Sequence, residues 1–212
     1  MRSCFQVEVT SEQLNYAKQL VEYSIKNHPI HNIWDHDEAS MNNTYKYRLI
    51  GSLGEVVFAD TYGYNRHKRS FGAIDGQDNG NDFTVTISDI EYNIDLKSMQ
   101  RKSDVFRGYY VLNIPAYQLH KVESETDFYY CISFHVKESK YFASFLGMIS
   151  KKDIISGKVG ILYTKGTKRI RADRTTFAFL EDTYEIDFKD FIKPEIKSEL
   201  ENLNGFKLIK ID

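Results

Sequence analysis

The residues of this chain best suited to chemistry are Asp82, Asp95 and Lys97. They lie in residues 81–98, where Phe83, Val85 and Ile87 alternate with Asp82, Thr84 and Thr86, and Tyr92, Ile94 and Leu96 alternate with Asn93, Asp95 and Lys97. A period of two marks half-buried strands, and residues 88–91 read as the turn between them, so the spacing predicts a β-hairpin. Reversal between Asp89 and Ile90 sets Asp82 across from Lys97 and diagonal to Asp95, with all three on one face. A slip of one residue would send one strand's polar set to the other face, which makes register the decisive point. Two carboxylates and an ammonium beside an apolar face are costly unless something uses them. Mg²⁺ suits such a donor set, because it takes oxygen ligands at about 2.0–2.1 Å from one or two carboxylates, waters and substrate phosphate. Lys97 then stands where it can position an attacking water or offset phosphoryl charge. The competing reading of any Asp-x-Lys is a solvated surface pair, worth little to the fold.

The rest of the chain has to position these residues. At 212 residues, with no Pro-, Gly- or Ser-rich linker, the sequence is predicted to form one domain around one sizeable core. Hydrophobic residues make up 42% and charged residues 27%, and no apolar run is long enough to span a bilayer, so a globular protein without membrane association is expected. The first eight residues lack the apolar region of a signal peptide, which points to a cytoplasmic location. Cys4 and Cys131 fall in strand-like surroundings and are expected as buried thiols. A net charge of −2 does not advertise a nucleic-acid binder, yet Lys165, Lys168, Arg169, Arg171 and Arg174 fall within ten residues and form a local basic face.

Along the chain, a first helix is predicted over 12–27, with Thr10 and Gln13 spaced as a capping box. His28, His31 and His36 follow in a loop without the spacing of a zinc site. A second helix is predicted over 45–62, capped from residues 42–44, with Gly51 and Gly54 marking close packing and Glu55 beside that contact. The connection to Asp82 is predicted to hold a short strand over 69–74 and a turn-rich run from Asp75, which lacks the last acid of an EF-hand. Strands are then predicted over 109–114, 128–136 and 141–149, the second buried on both faces, with a short helix over 116–122. Ser150 is placed to cap another short helix whose Lys151 and Lys152 could meet a phosphate. An extended stretch over 175–180 and a short helix docking Phe188, Phe191 and Ile192 complete an α+β, or mixed α/β, fold with a central mixed sheet. The helical part spans about 11–63, the hairpin about 81–99, and the elements completing the sheet about 109–212.

Glu55 on a helix, Asp82 opening a strand, and Asp95-Leu96-Lys97 on the next strand together resemble the PD-(D/E)XK nuclease superfamily, over roughly residues 49–98. Asn81 stands where that motif has proline. The resemblance implies a restriction-endonuclease-like core with helices flanking the sheet. It implies that Glu55, Asp82 and Asp95 gather around Mg²⁺, with Mn²⁺ as a substitute, and that Lys97 serves the attacking water. Gln100 is carried over as a polar residue near the site. The implied activity is endonucleolytic hydrolysis of phosphodiester bonds, foremost in DNA, leaving 5′-phosphates. Lys102, Arg107, Lys151, Lys152, Lys168, Arg169 and Arg171 are the candidate backbone contacts. An inactive binding module on the same fold and an RNA-directed nuclease are the alternatives, and a homodimer stays open as an arrangement.

Overall fold

The computed structural model describes residues 2–27, 38–67, 82–121, 125–170 and 174–211. The histidine loop, the predicted strand over 69–74, Asn81 and Arg171 lie outside them. The chain opens with strand β1 (Arg2–Glu8) and helix α1 (Ser11–Asn27). The capping box forms in both directions: Thr10 N–H donates to Gln13 Oε1 (2.9 Å) and Gln13 N–H to Thr10 Oγ1 (3.1 Å). Helix α2 (Glu38–Tyr62) starts upstream of the predicted Tyr45, so the Asn42–Thr44 run lies inside it.

Strands β2 (Phe83–Ile87) and β3 (Ile90–Gln100) form the expected hairpin. Its register differs from the sequence reading, because the reversal is a two-residue turn at Ser88 and Asp89 (φ 51° and 64°), not the longer turn over 88–91. Positive φ at both central residues gives a turn whose twist matches the strands it joins. The pairing becomes Phe83 with Ile94. Continued by one step, it brings Asp82 to Asp95 instead of Lys97. A shift of two residues keeps every side chain on its face.

Next come β4 (Val111–Pro115), α3 (Ala116–Leu119), β5 (Phe128–Lys137), β6 (Lys140–Ser150) and α4 (Lys151–Ile155). Three short strands, β7 (Ile161–Tyr163), β8 (Lys168–Ile170) and β9 (Thr176–Ala178), precede β10 (Thr183–Asp187) and β11 (Lys207–Ile211). The main sheet has the order β11-β1-β6-β5-β3-β2 and is mixed: β3 and β5 run parallel, and every other pair is antiparallel. A second sheet, β4-β10-β7, and a β8-β9 ribbon stand apart from it.

The two faces of the main sheet carry different cores. Phe5, Val7, Ile94, Leu96, Ile132 and Phe145 pack against Leu53, Val57 and Phe58 of α2 and Val21 of α1. On the other face Cys4, Tyr129, Cys131 and Leu146 meet Leu112 and Ile114 of β4, Tyr184 and Ile186 of β10, and Ile154 of α4. Helices therefore flank the central sheet on one face, while a small sheet with short helices covers the other. Phe188 and Phe191 are buried as expected, but Ile192 is exposed, bridging through its backbone to Met148. Among the described residues no helix is long and apolar enough to cross a membrane.

Candidate functional site

Asp82 sits one residue before β2 and is held against β3 by two hydrogen bonds. Its N–H donates to Ile94 O (2.8 Å), and its Oδ2 accepts from Leu96 N–H (2.6 Å). Those partners flank Asp95. The carboxylate of Asp95 is in turn met by Lys97 Nζ, 2.8 Å from Oδ2, with the side chains 22% and 23% exposed. The pair is thus partly shielded and partly open to solvent. Parallel pairing with β5 sets Asp95 beside Tyr129 and Lys97 beside Cys131. The Lys97 ammonium lies 5.4 Å from the centroid of the buried Tyr129 ring, within range of a cation–π contact. Burial, and then the charge of Asp95, push the Tyr129 phenol above its ordinary range, so the ring stays neutral under the lysine. Sequence reasoning did not find Tyr129 as a member of the site, because only the β3–β5 register brings it there.

Gly54 of α2 rests directly on β3. A Cβ there would lie 1.8 Å from Ser98 Oγ and 3.3 Å from Leu96 Cδ2. Glu55 is therefore next to the helix–strand contact, as expected, and is half-buried. Leu96 and Ser98, however, alternate with Asp95 and Lys97 along the strand, so α2 approaches β3 over the face opposite to the acid–lysine pair. Among the described residues no group of three His, Cys, Asp or Glu side chains is gathered closely enough to hold a metal ion. Asp82 and Asp95 are two oxygen donors of the kind a hard cation takes, and each ionised carboxylate offers about four lone-pair sites.

The candidate substrate contacts are dispersed. Gln100 and Lys102 line a groove of about 560 Å³ between the end of β3 and α2, together with Lys46 and the half-buried Arg101. Lys151 and Lys152 line another, of about 510 Å³, with Tyr92, Asp127 and Phe128 at the opposite end of β3. Ser150 caps α4 as expected, accepting from Asp153 N–H at 3.4 Å. Arg107 is exposed in the segment leading to β4. Lys168 and Arg169 lie on β8, where Arg169 is engaged by Glu185 (2.5 Å) and the Tyr163 ring (4.7 Å). The structure thus brings Asp82, Asp95 and Lys97 together and spreads the cations over four places. Comparison with protein-family models, with curated proteins and with solved structures finds no match to this chain.

Proposed function

We propose that the chain is a metal-dependent nuclease that hydrolyses phosphodiester bonds, DNA foremost, in the manner of the PD-(D/E)XK superfamily. The observation that carries this reading is the convergence at the hairpin: Asp82 bonds to the residues on either side of Asp95, and Asp95 bonds to Lys97. Asp82 and Asp95 are the carboxylates that would hold Mg²⁺ or Mn²⁺; Glu55 is the third acid that the resemblance names, but its helix lies over the opposite face of β3. A divalent cation bound there supplies charge for a phosphoryl oxygen and lowers the pKa of water.

The chain's own contribution is positional. The Leu96 N–H fixes one oxygen of Asp82, and Lys97 fixes one of Asp95, which orients both carboxylates. Lys97 carries three N–H donors, so while one meets Asp95 another orients the attacking water or meets the phosphoryl oxygen. The neutral Tyr129 ring beneath holds the ammonium in place without competing for a proton.

The test is incubation of the purified protein with plasmid DNA, single- and double-stranded oligonucleotides and RNA, in Mg²⁺, Mn²⁺ or EDTA. Cleavage that needs the metal and leaves 5′-phosphate ends is expected. Asp82→Asn and Lys97→Met should each lower the rate by about 10²-fold or more, in line with the loss of one preorganised charge-stabilising group. Glu55→Gln tests the third acid separately. A folded Asp95→Asn protein with the wild-type rate contradicts the assignment, and binding without cleavage under every metal condition favours the inactive-module alternative.

A further inference from the structure

The face of the main sheet that meets the small sheet is apolar through Cys4, Tyr129, Cys131 and Leu146, but turns polar toward one end. There Lys207, Gln6, Ser144 and Ser133 succeed one another in register across β11, β1, β6 and β5. Gln6, Ser144 and Ser133 are all buried. Gln6 Nε2 donates to Ser144 Oγ (3.0 Å), and Arg101 Nε donates to Ser133 Oγ (3.5 Å). Such a row is expensive inside a sheet sandwich, where apolar side chains would pack without any need for partners. In the next row His135 pairs with Phe142, and the two rings stack at 5.3 Å and 12°.

This end of the face is open. A groove of about 410 Å³ is lined by Gln6, His135, Phe142 and Phe106, and by Lys137, Lys207 and Lys210 with one acid, Asp104. Lys137 Nζ lies 4.0 Å from the exposed Glu138, the weakest of attachments. The volume falls within the range of small-molecule sites, which combine flat apolar walls with a few placed polar groups. Burial pulls the pKa of His135 down, with Asp104 opposing, so near neutral pH its imidazole is a neutral ring with one donor and one acceptor nitrogen.

We propose that this groove is a second ligand site, separate from the acid pair, and that it takes a small phosphate-bearing molecule with a planar ring, of the nucleotide class. The lysines meet the phosphates, Phe106 and the His135–Phe142 stack offer the flat wall, and Gln6 and His135 read polar edges. The site does not depend on the nuclease reading.

The test is calorimetric titration of the full chain in EDTA with three probes: ATP, inorganic tripolyphosphate and adenosine. ATP is expected to bind at one site, more tightly than tripolyphosphate, with no detectable heat from adenosine. The double variant Lys207→Glu/Lys210→Glu, with both changes on exposed side chains, should weaken ATP at least tenfold, and Gln6→Leu should also weaken it. Asp82→Asn/Asp95→Asn should bind ATP as the wild type does, which separates this site from the hairpin. Absence of ATP binding, or binding unchanged by the lysine reversals, overturns the proposal. Tripolyphosphate binding as tightly as ATP overturns the nucleotide class.

Discussion

Cys131 shares a face of the sheet with Lys97 and pairs with it in register, yet the two side chains have opposite chemistry. Lys97 reaches partial solvent beside Asp95, whereas Cys131 is fully buried and its thiol is pushed up to about 12, chiefly by burial, with the Arg101 charge acting the other way. A thiol so far from ionisation is not a nucleophile at neutral pH. Ellman's reagent at pH 8 should therefore leave both cysteines of the native protein unmodified and count two thiols only after denaturation; rapid labelling of the native chain would contradict this. Buried thiols were legible in the sequence from the strand pattern around each cysteine. The neighbourhood of Lys97 was not, since Tyr129 comes to it through a parallel pairing that no local pattern encodes. Arg101, with its charge disfavoured by burial, donates to Val111 O at 2.6 Å and lies 4.7 Å from the Tyr110 ring centre, contacts made across the start of the small sheet.

Helix α2 and strand β3 meet at a point that separates two glycines of similar appearance. Both Gly51 and Gly54 are read from the sequence as marks of close packing, but only Gly54 abuts the strand, and Gly51 has nothing within 4 Å of an added Cβ. Gly54→Ala should destabilise the protein by about 1–3 kcal/mol through overpacking against Ser98 and Leu96. Gly51→Ala should stabilise it by about 0.5–1 kcal/mol through helix propensity. Urea unfolding of the two variants checks both signs, and destabilisation by Gly51→Ala or tolerance of Gly54→Ala would refute the packing described. Element types were legible wherever a period ran long, as in α1 and β5, and so was the hairpin itself. Its register was not, because Ser88 and Asp89 take positive φ without the glycine that would announce a two-residue turn. The early start of α2 was obscured for a similar reason: Asn42, Asn43 and Thr44 favour caps, yet they lie inside the helix.

The whole molecule is a mixed sheet with unlike faces, helices on one and a small antiparallel sheet on the other. The near-continuous apolar run of β5 reveals that both faces are buried. It does not reveal that β4, β10 and β7, distant in sequence and only three to five residues long, join to cover one of them. His135 on that second face gives the fold a pH dependence. Its folded pKa lies below the ordinary value near 6.5, so the unfolded chain holds the proton more readily. The stabilisation from this residue is complete above about pH 6.5 and is lost as the pH falls toward the folded value. Urea midpoints at pH 7.5 and 5.5 should fall less steeply in His135→Phe than in the wild type, and equal slopes would exclude this contribution. The same architecture carries Asp82 from before β2 and Asp95 and Lys97 from β3 to one spot on the sheet, and the central claim is that the two acids seat a divalent cation. Calorimetric titration with Mn²⁺ tests it most directly. One ion per chain is predicted for the wild type and none for Asp82→Asn/Asp95→Asn. Unchanged Mn²⁺ binding by that folded double variant, or no binding by the wild type, would contradict it.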